Sequence, residues 1–562
     1  MNHSGNVETS SMAALRTIAR ALWSAVGLAF VTGGPALAGD VVTQHNDNQR
    51  SGACFDEATL NVQNVNTNQF GLIFTRAVDG IAFAQPLYLE HLAIPNHGIH
   101  NVVYVATEHN SVYCFDADNP AEANPLWSVN LGPSVPSADT NCDNLGSEEG
   151  ITATPVIDRA EHVIYVVAKT KKAGNYFHRL HALNLGTGRE MLGGPVQIQG
   201  MVEGRGGASD GAFVRFDPLV QLNRCALLLS QGMIYVCFGS ECDNFPTLYH
   251  GWVFSYHAKS LEKKAVYNTT RNGVQGGIWM GGNGPSVDAE GNLYLIVGNG
   301  SFDGPSAGSA AETTYAKYDL GDSILKLTPT RTGFNVSDFF TPYDESHLEQ
   351  YDYDLGSIGV LVVPGTNTVI GGGKENLLYL CNENGMGKFD PSNDGQIVQS
   401  FRAAQPWTSV NNANWLSSSP AYMKTASGGM LYSWAQNDVL KAFSFAQGEF
   451  ATTPAMQGAD TASYPGGALA VSSDQGKPGT NILWATHSLR SSVTITTRTT
   501  AGIVRAYDAT NLNSELWNSE QNHDRDNPGN FSRFAAPTIA NGKVYVATFS
   551  NQLAVYGLLS IP

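Results

Sequence analysis

One short phrase of sequence recurs along this chain, and a repeat of that kind settles the fold class before any single element is considered. Its first full copy, NVVYVATEHNSVYCFDADNPAEANPLW from Asn101 to Trp127, reads as a strand, a polar turn, a second strand ending in Phe-Asp-Ala, and a Trp beyond the next turn. The echoes are HVIYVVAK with RLHALNLGTG, GMIYVCFG with GWVFSYHAKS, GNLYLIVGNG with DSILKLTPT, GGGKENLLYLCNENG, GGMLYSWAQNDVLKAFSF, NILWATHS with GIVRAYDATNLNSELW, and NGKVYVATFSNQLAVYGL. That makes eight copies of about 60 residues each, longer than a WD-repeat blade. At 562 residues the chain exceeds the size at which one hydrophobic core stops growing. Eight small sheets packed around an axis solve both problems, and the repeat predicts an all-β fold, an eight-bladed β-propeller of four-stranded antiparallel blades.

Two details place strands within the blades. A small residue or Gln followed by Pro precedes most copies, at Gln85-Pro86, Thr154-Pro155, Gly284-Pro285, Ser419-Pro420 and Ala536-Pro537. Proline is tolerated where a strand begins, because the donor it lacks need not pair, so these segments are expected to open the innermost strands lining the channel. The last copy ends with the chain after three strands, while FGLIFTRAV at 70–78 precedes the first copy. Pairing that spare strand with the last blade closes the ring without an open edge. Two stacked sandwiches are the rival architecture, and the unbroken period without a Pro/Ser-rich linker argues against them.

Composition agrees: charged residues are 14% and Gly is 59 of 562, which favours short strands and turns. The net charge of −17 and the lack of a basic cluster argue against nucleic acid as a partner. Arg16 and Arg20, an apolar run from Ala21 to Val31, and Ala36-Leu37-Ala38 follow the order of a secretory signal. The expected organisation is a signal peptide over 1–38, an N-terminal cap over 39–69 that includes His45-Asn46-Asp47-Asn48, and the propeller over 70–562. The protein is therefore expected to be exported, periplasmic or secreted, with no membrane span. Of the 7 cysteines, Cys237 and Cys242 flank a short acidic loop and are the expected pair, and Cys114 and Cys381 read as buried thiols. The spacing C-x-x-C-H is absent, so no c-type haem is expected.

The repeat, with Trp127 and Trp517 following Asp116-Ala117 and Asp508-Ala509 and Gly188 supplying the turn in a third copy, resembles that of the quinoprotein (pyrroloquinoline quinone, PQQ) dehydrogenases. The resemblance covers essentially the whole chain after the signal. It implies an eight-bladed propeller with a quinone in the channel mouth above a Trp, a Ca²⁺ held by Glu and Asn, and a catalytic Asp that takes the substrate hydroxyl proton. Leu295-Ile296-Val297-Gly298-Asn299 is similar to the calcium-binding segment and points to Asn299. Tyr351-Asp352-Tyr353-Asp354-Leu355-Gly356 is similar to the segment of the catalytic base, leaving Asp354 or Asp352. Gly373-Lys374-Glu375-Asn376-Leu377-Leu378-Tyr379-Leu380 resembles the quinone-contacting segment, with Lys374 as the contact.

Three departures accompany these matches. The adjacent-cysteine disulfide falls where this chain has Asn141-Cys142-Asp143, with one cysteine. The calcium-binding Glu belongs between Ala168 and Leu180, where Lys169-Thr170-Lys171-Lys172-Ala173-Gly174-Asn175 has none. The floor Trp is out of register, with Trp279 nearby. Glu148 and Glu149, at the mouth of a predicted inner strand, are the alternative metal ligands, and as neighbours they point to opposite sides. His109 after its strand reads as a turn residue. No G-x-S-x-G, H-E-x-x-H, paired C-x-x-C or P-loop order is present. Two functions remain open. One is a quinoprotein-like oxidoreductase acting on an alcohol or sugar with a separate electron acceptor, using PQQ and Ca²⁺; the other is a non-catalytic propeller that binds protein or glycan.

Overall fold

The structure is a computed structural model that describes residues 39–140, 142, 145–243, 248–309, 314–406, 414–490 and 499–560. The expected signal segment lies outside the described residues. Eight blades follow one another along the chain. Their innermost strands begin at Leu87, Val156, Leu228, Ser286, Leu361, Ala421, Ala468 and Thr538, with Gln221–Leu222 pairing to the same second strand in the third blade, and the main strands of each blade are antiparallel neighbours. The five X-Pro pairs immediately precede innermost strands, where the missing N–H is not needed. First strands of adjacent blades touch one another and so surround the axis.

Closure is as the repeat demands. The strand Phe70–Ala77 pairs antiparallel with Gln552–Leu558, so the last blade takes its outer strand from the start of the ring. Phe70 anchors this seam, with its ring 5.0 Å from Trp517 and 5.4 Å from Trp484. Alternation along the strands buries both faces of each blade against its neighbours, as in Val163–Lys172 and Met233–Ser240.

Blades are locked by repeated side-chain contacts. Trp127 donates its indole N–H to the Leu185 carbonyl of the next blade at 2.9 Å and lies over Gly188. A Cβ at Gly188 would come within 2.5 Å of that ring, and its φ of +65° is one that glycine adopts without cost. Tyr104, Tyr165 and Tyr432 repeat the theme, each donating from its hydroxyl to a carbonyl of the following blade, those of Leu185, Ala258 and Ala509.

The segment from Val41 to Cys54 crosses one end of the ring. Val41, Val42, Asn48, Gln49, Ser51 and Gly52 make backbone hydrogen bonds with Tyr88, Ile157, Val287, Val362, Tyr422 and Val471, which lie on six successive or nearby innermost strands. Arg50, fully buried, pins the crossing by donating to Pro285 O, Thr43 Oγ1, Gln44 O and Leu227 O. A buried guanidinium needs that many acceptors to offset the water it has lost.

Candidate active site

In an antiparallel blade the entry to the first strand and the exit from the second lie at the same end, and residues from both places gather at one mouth of the channel. Entry segments supply Arg224, Trp279, Asp354, Trp415 and Tyr464; exits of second strands supply Asn299, Lys374 and Cys242. The cap bonds to residues further along the innermost strands, toward the opposite end. The mouth holds a cavity of about 240 Å³ lined by Trp279, Lys374, Asp354, Arg224, Trp415 and the Cys142–Cys242 disulfide, among others.

Lys374 is the centre of its charges. Its Nζ lies 2.6 Å from Asp354 Oδ2 and 2.9 Å from Asp352 Oδ1. Burial opposes the ammonium charge, but the two carboxylates outweigh that and raise its pKa above the ordinary lysine value. Asp354 is 9% exposed and Asp352 61%. Asn299 ties both together: its backbone N–H donates to Asp354 Oδ1 and its side-chain NH₂ to Asp352 Oδ1, each at 3.0 Å. The turn carrying Asp354 is fixed from behind, where Asp322 Oδ1 accepts the Leu355 N–H at 3.0 Å. Asp352 caps the helix Glu345–Tyr351 in the left-handed region at φ 58°, which an Asp tolerates better than most residues.

Trp279 is bedded on backbone. A Cβ at Gly239, Gly277 or Gly298 would meet the indole at 2.7 to 2.9 Å, and at Gly298 it would also lie 2.6 Å from Asp354 Oδ1. Only glycine permits that approach, which explains the Gly-rich exits from the second strands in these two blades. Tyr249 packs edge-on to Trp279 with centroids 6.1 Å apart and donates its hydroxyl to Asp243. Burial first, then the Asp354 charge, push the Asp243 carboxyl up to about 6. Lys374 Nζ lies 5.2 Å from the centroid of Trp415, whose indole N–H is buried without a hydrogen-bond partner.

Asn299, Asp352, Asp354, Lys374 and Trp279 thus meet at one mouth. Glu148 and Glu149 are directed elsewhere. Glu148 accepts from His109 Nδ1 at 3.1 Å and from Ser134. Glu149, on the other side of the strand, is buried against Lys169 Nζ at 3.0 Å. The expected Cys237–Cys242 pair does not form; Cys242 bonds Cys142, with Cα atoms 5.9 Å apart, and Cys237 is a buried free thiol. Cys237 lies inside the strand Met233–Ser240, and three strand residues at about 3.3 Å each carry the chain roughly 10 Å past it, beyond a disulfide's reach. Cys114 and Cys381 are free and buried, as expected.

Arg224, Trp415 and Tyr464 were not among the residues singled out from sequence. Arg224 and Tyr464 precede the innermost strands Leu228–Ser230 and Ala468–Ser472 by 4 residues and Trp415 precedes Ala421–Thr425 by 6, against 7 for Trp279 before Ser286–Val287, so their place in the entry segment of each repeat was the available signal.

No protein-family model matches the chain, and no curated protein matches it in sequence. Solved structures match it in shape: the chain has the eight-bladed fold seen in quinoprotein alcohol and methanol dehydrogenases, at low sequence identity. Among them are a quinohemoprotein alcohol dehydrogenase of Pseudomonas putida HK5 (TM-score 0.59, 13% identity, covering 93% of this chain and 82% of that one) and one of Comamonas testosteroni (TM-score 0.53, 13% identity, 94% and 82%). A europium-containing methanol dehydrogenase is similar over 93% of this chain and 98% of its own, with a TM-score of 0.54 and 12% identity.

Proposed function

We propose that the protein is an exported quinoprotein-type oxidoreductase, periplasmic or secreted, that oxidises an alcohol or sugar hydroxyl and passes electrons to a separate acceptor. The observation that carries this reading is the meeting of Lys374, Asp354, Asp352, Asn299 and Trp279 at one channel mouth, from four separate stretches of chain. A non-catalytic binding scaffold has no need for a buried carboxylate, ammonium and indole in that arrangement.

The cavity suits PQQ, a planar tricarboxylate. Trp279 offers a flat apolar face, Lys374 and Arg224 offer cations to its carboxylates, and the unpartnered Trp415 N–H offers a donor. When bound, the quinone supplies the two-electron acceptor for oxidation of the hydroxyl carbon. Asp354 accepts the hydroxyl proton at Oδ2, the atom that Lys374 also holds. Lys374 would hold a quinone oxygen or carboxylate when the cofactor is bound, and Asn299 fixes Asp354 through its backbone N–H.

Reconstitution with PQQ, followed by dye-linked oxidation of a panel of primary alcohols and aldoses, tests the reading. Turnover that saturates with quinone supports it. Folded protein that binds no quinone and oxidises none of the panel refutes it and leaves the scaffold.

A further inference from the structure

We propose that the channel mouth works without a divalent cation, the ammonium groups of Lys374 and Lys169 holding the carboxylates that such a cation would need. The inference rests on the quinone reading above and concerns what that site needs besides the quinone.

A calcium ion takes six to eight oxygens at 2.3–2.6 Å. Most of the oxygens from which such a shell would be built are already committed to ammonium or N–H groups of the chain. The point where Asp354 Oδ2 and Asp352 Oδ1 converge is filled by Lys374 Nζ, at 2.6 and 2.9 Å. Asn299 turns its NH₂ toward Asp352, and its Oδ1, buried without a hydrogen-bond partner, is one free donor against the six required. Glu148 is held by His109 and Ser134.

Glu149 is held more firmly still. Lys169 Nζ lies 3.0 Å from Glu149 Oε2, 2.5 Å from Glu241 Oε1 and 3.1 Å from the Leu219 carbonyl. Its side chain and both carboxylates are at most 3% exposed. An ammonium has three N–H donors and no acceptor, so all three are used, each on an oxygen. This is a closed cation site whose cation is part of the chain. It stands directly behind the cavity wall: Thr140 Oγ1 donates to Glu149 Oε1 at 2.7 Å and contacts the Cys142 carbonyl, and Glu241 adjoins Cys242. Lys169 also falls in the segment where the family resemblance places a calcium-binding Glu, so the charge there is reversed. Among the described residues no group of three or more His, Cys, Asp or Glu side chains is arranged to hold a metal ion. Expelling either ammonium to admit Ca²⁺ would strand a buried charge, which costs far more than an exposed ion pair returns.

The test is calorimetric titration of chelator-stripped full-length protein with PQQ, alone and with excess Ca²⁺ or La³⁺, and with each cation by itself. The expected result is a quinone Kd that agrees within about threefold in all buffers, with no saturable cation binding. A quinone Kd at least about tenfold tighter with either cation overturns the inference and leaves the quinone reading intact. Saturable one-to-one binding of Ca²⁺ or La³⁺ alone, lost in Asn299→Ala, overturns it as well. Failure to bind quinone in any buffer overturns the quinone reading, and this inference with it.

Discussion

Asp352 and Asp354 share one lysine but differ in what surrounds them. Asp354 lines the cavity and is 9% exposed, whereas Asp352 is 61% exposed on the helix cap. In quinone-reconstituted protein, Asp354→Asn is expected to lower kcat by about 10²-fold or more, and Asp352→Asn by less than about tenfold, in a dye-linked assay. The reverse ranking would exchange their roles. Asp243 gives a second test at this scale. With its pKa at about 6, it is neutral below that pH and becomes a carboxylate beside the cavity above it, repelling an anionic ligand. Quinone affinity is therefore expected to fall as pH rises from 5 to 7, and Asp243→Asn to flatten that fall; an unchanged profile in the variant would remove Asp243 from the account.

At the scale of elements, the repeat made the blades readable as a local pattern imposed eight times, the Pro-opened inner strands as a signal shared by five of them, and the closing strand at 70–78 as the piece that completes the last copy. The site was readable only where a local phrase carried it. Asn299, Lys374 and the Asp352/Asp354 pair lie in phrases of that kind. The Cys142–Cys242 bond joins positions 100 residues apart, one in the connection that leads into the second blade and one in the third, and no local spacing announces such a contact. The pairing of Glu149 with Lys169 was hidden for the same reason. Blade docking is the element-scale claim most open to measurement. Gly188→Val adds bulk within 2.5 Å of Trp127 at a left-handed φ, and is expected to lower unfolding free energy by about 2–4 kcal/mol. A denaturant series should show a lower midpoint with unchanged slope; an unchanged midpoint would mean that the Trp127 contact bears little load.

Across the whole molecule, burial has moved many titrations in one direction. Glu108 is pushed up to about 8, Glu345 and Glu375 to about 7, and Asp243, Asp319 and Asp394 to about 6. Their unfolded values lie near 4, so between pH 8 and 6 the folded chain takes up protons that the unfolded chain does not, and stability rises as pH falls. Buried His45, His178 and His487, lowered to about 4, 3 and 4, oppose this below about 6.5, where the unfolded imidazoles gain protons. Fewer charges on a chain of net −17 work with the carboxyls. The melting temperature is accordingly expected to be higher at pH 6 than at pH 8, and calorimetric scans giving the opposite order would contradict the protonation scheme.

Everything proposed for this chain turns on the channel mouth over Trp279 being a quinone site. A crystal structure of the protein saturated with PQQ tests it most directly. The expected result is quinone density on the Trp279 face, with an oxygen in hydrogen-bond contact with Lys374 Nζ. Quinone bound elsewhere on the propeller, or an empty mouth at a concentration that saturates binding in solution, would contradict it.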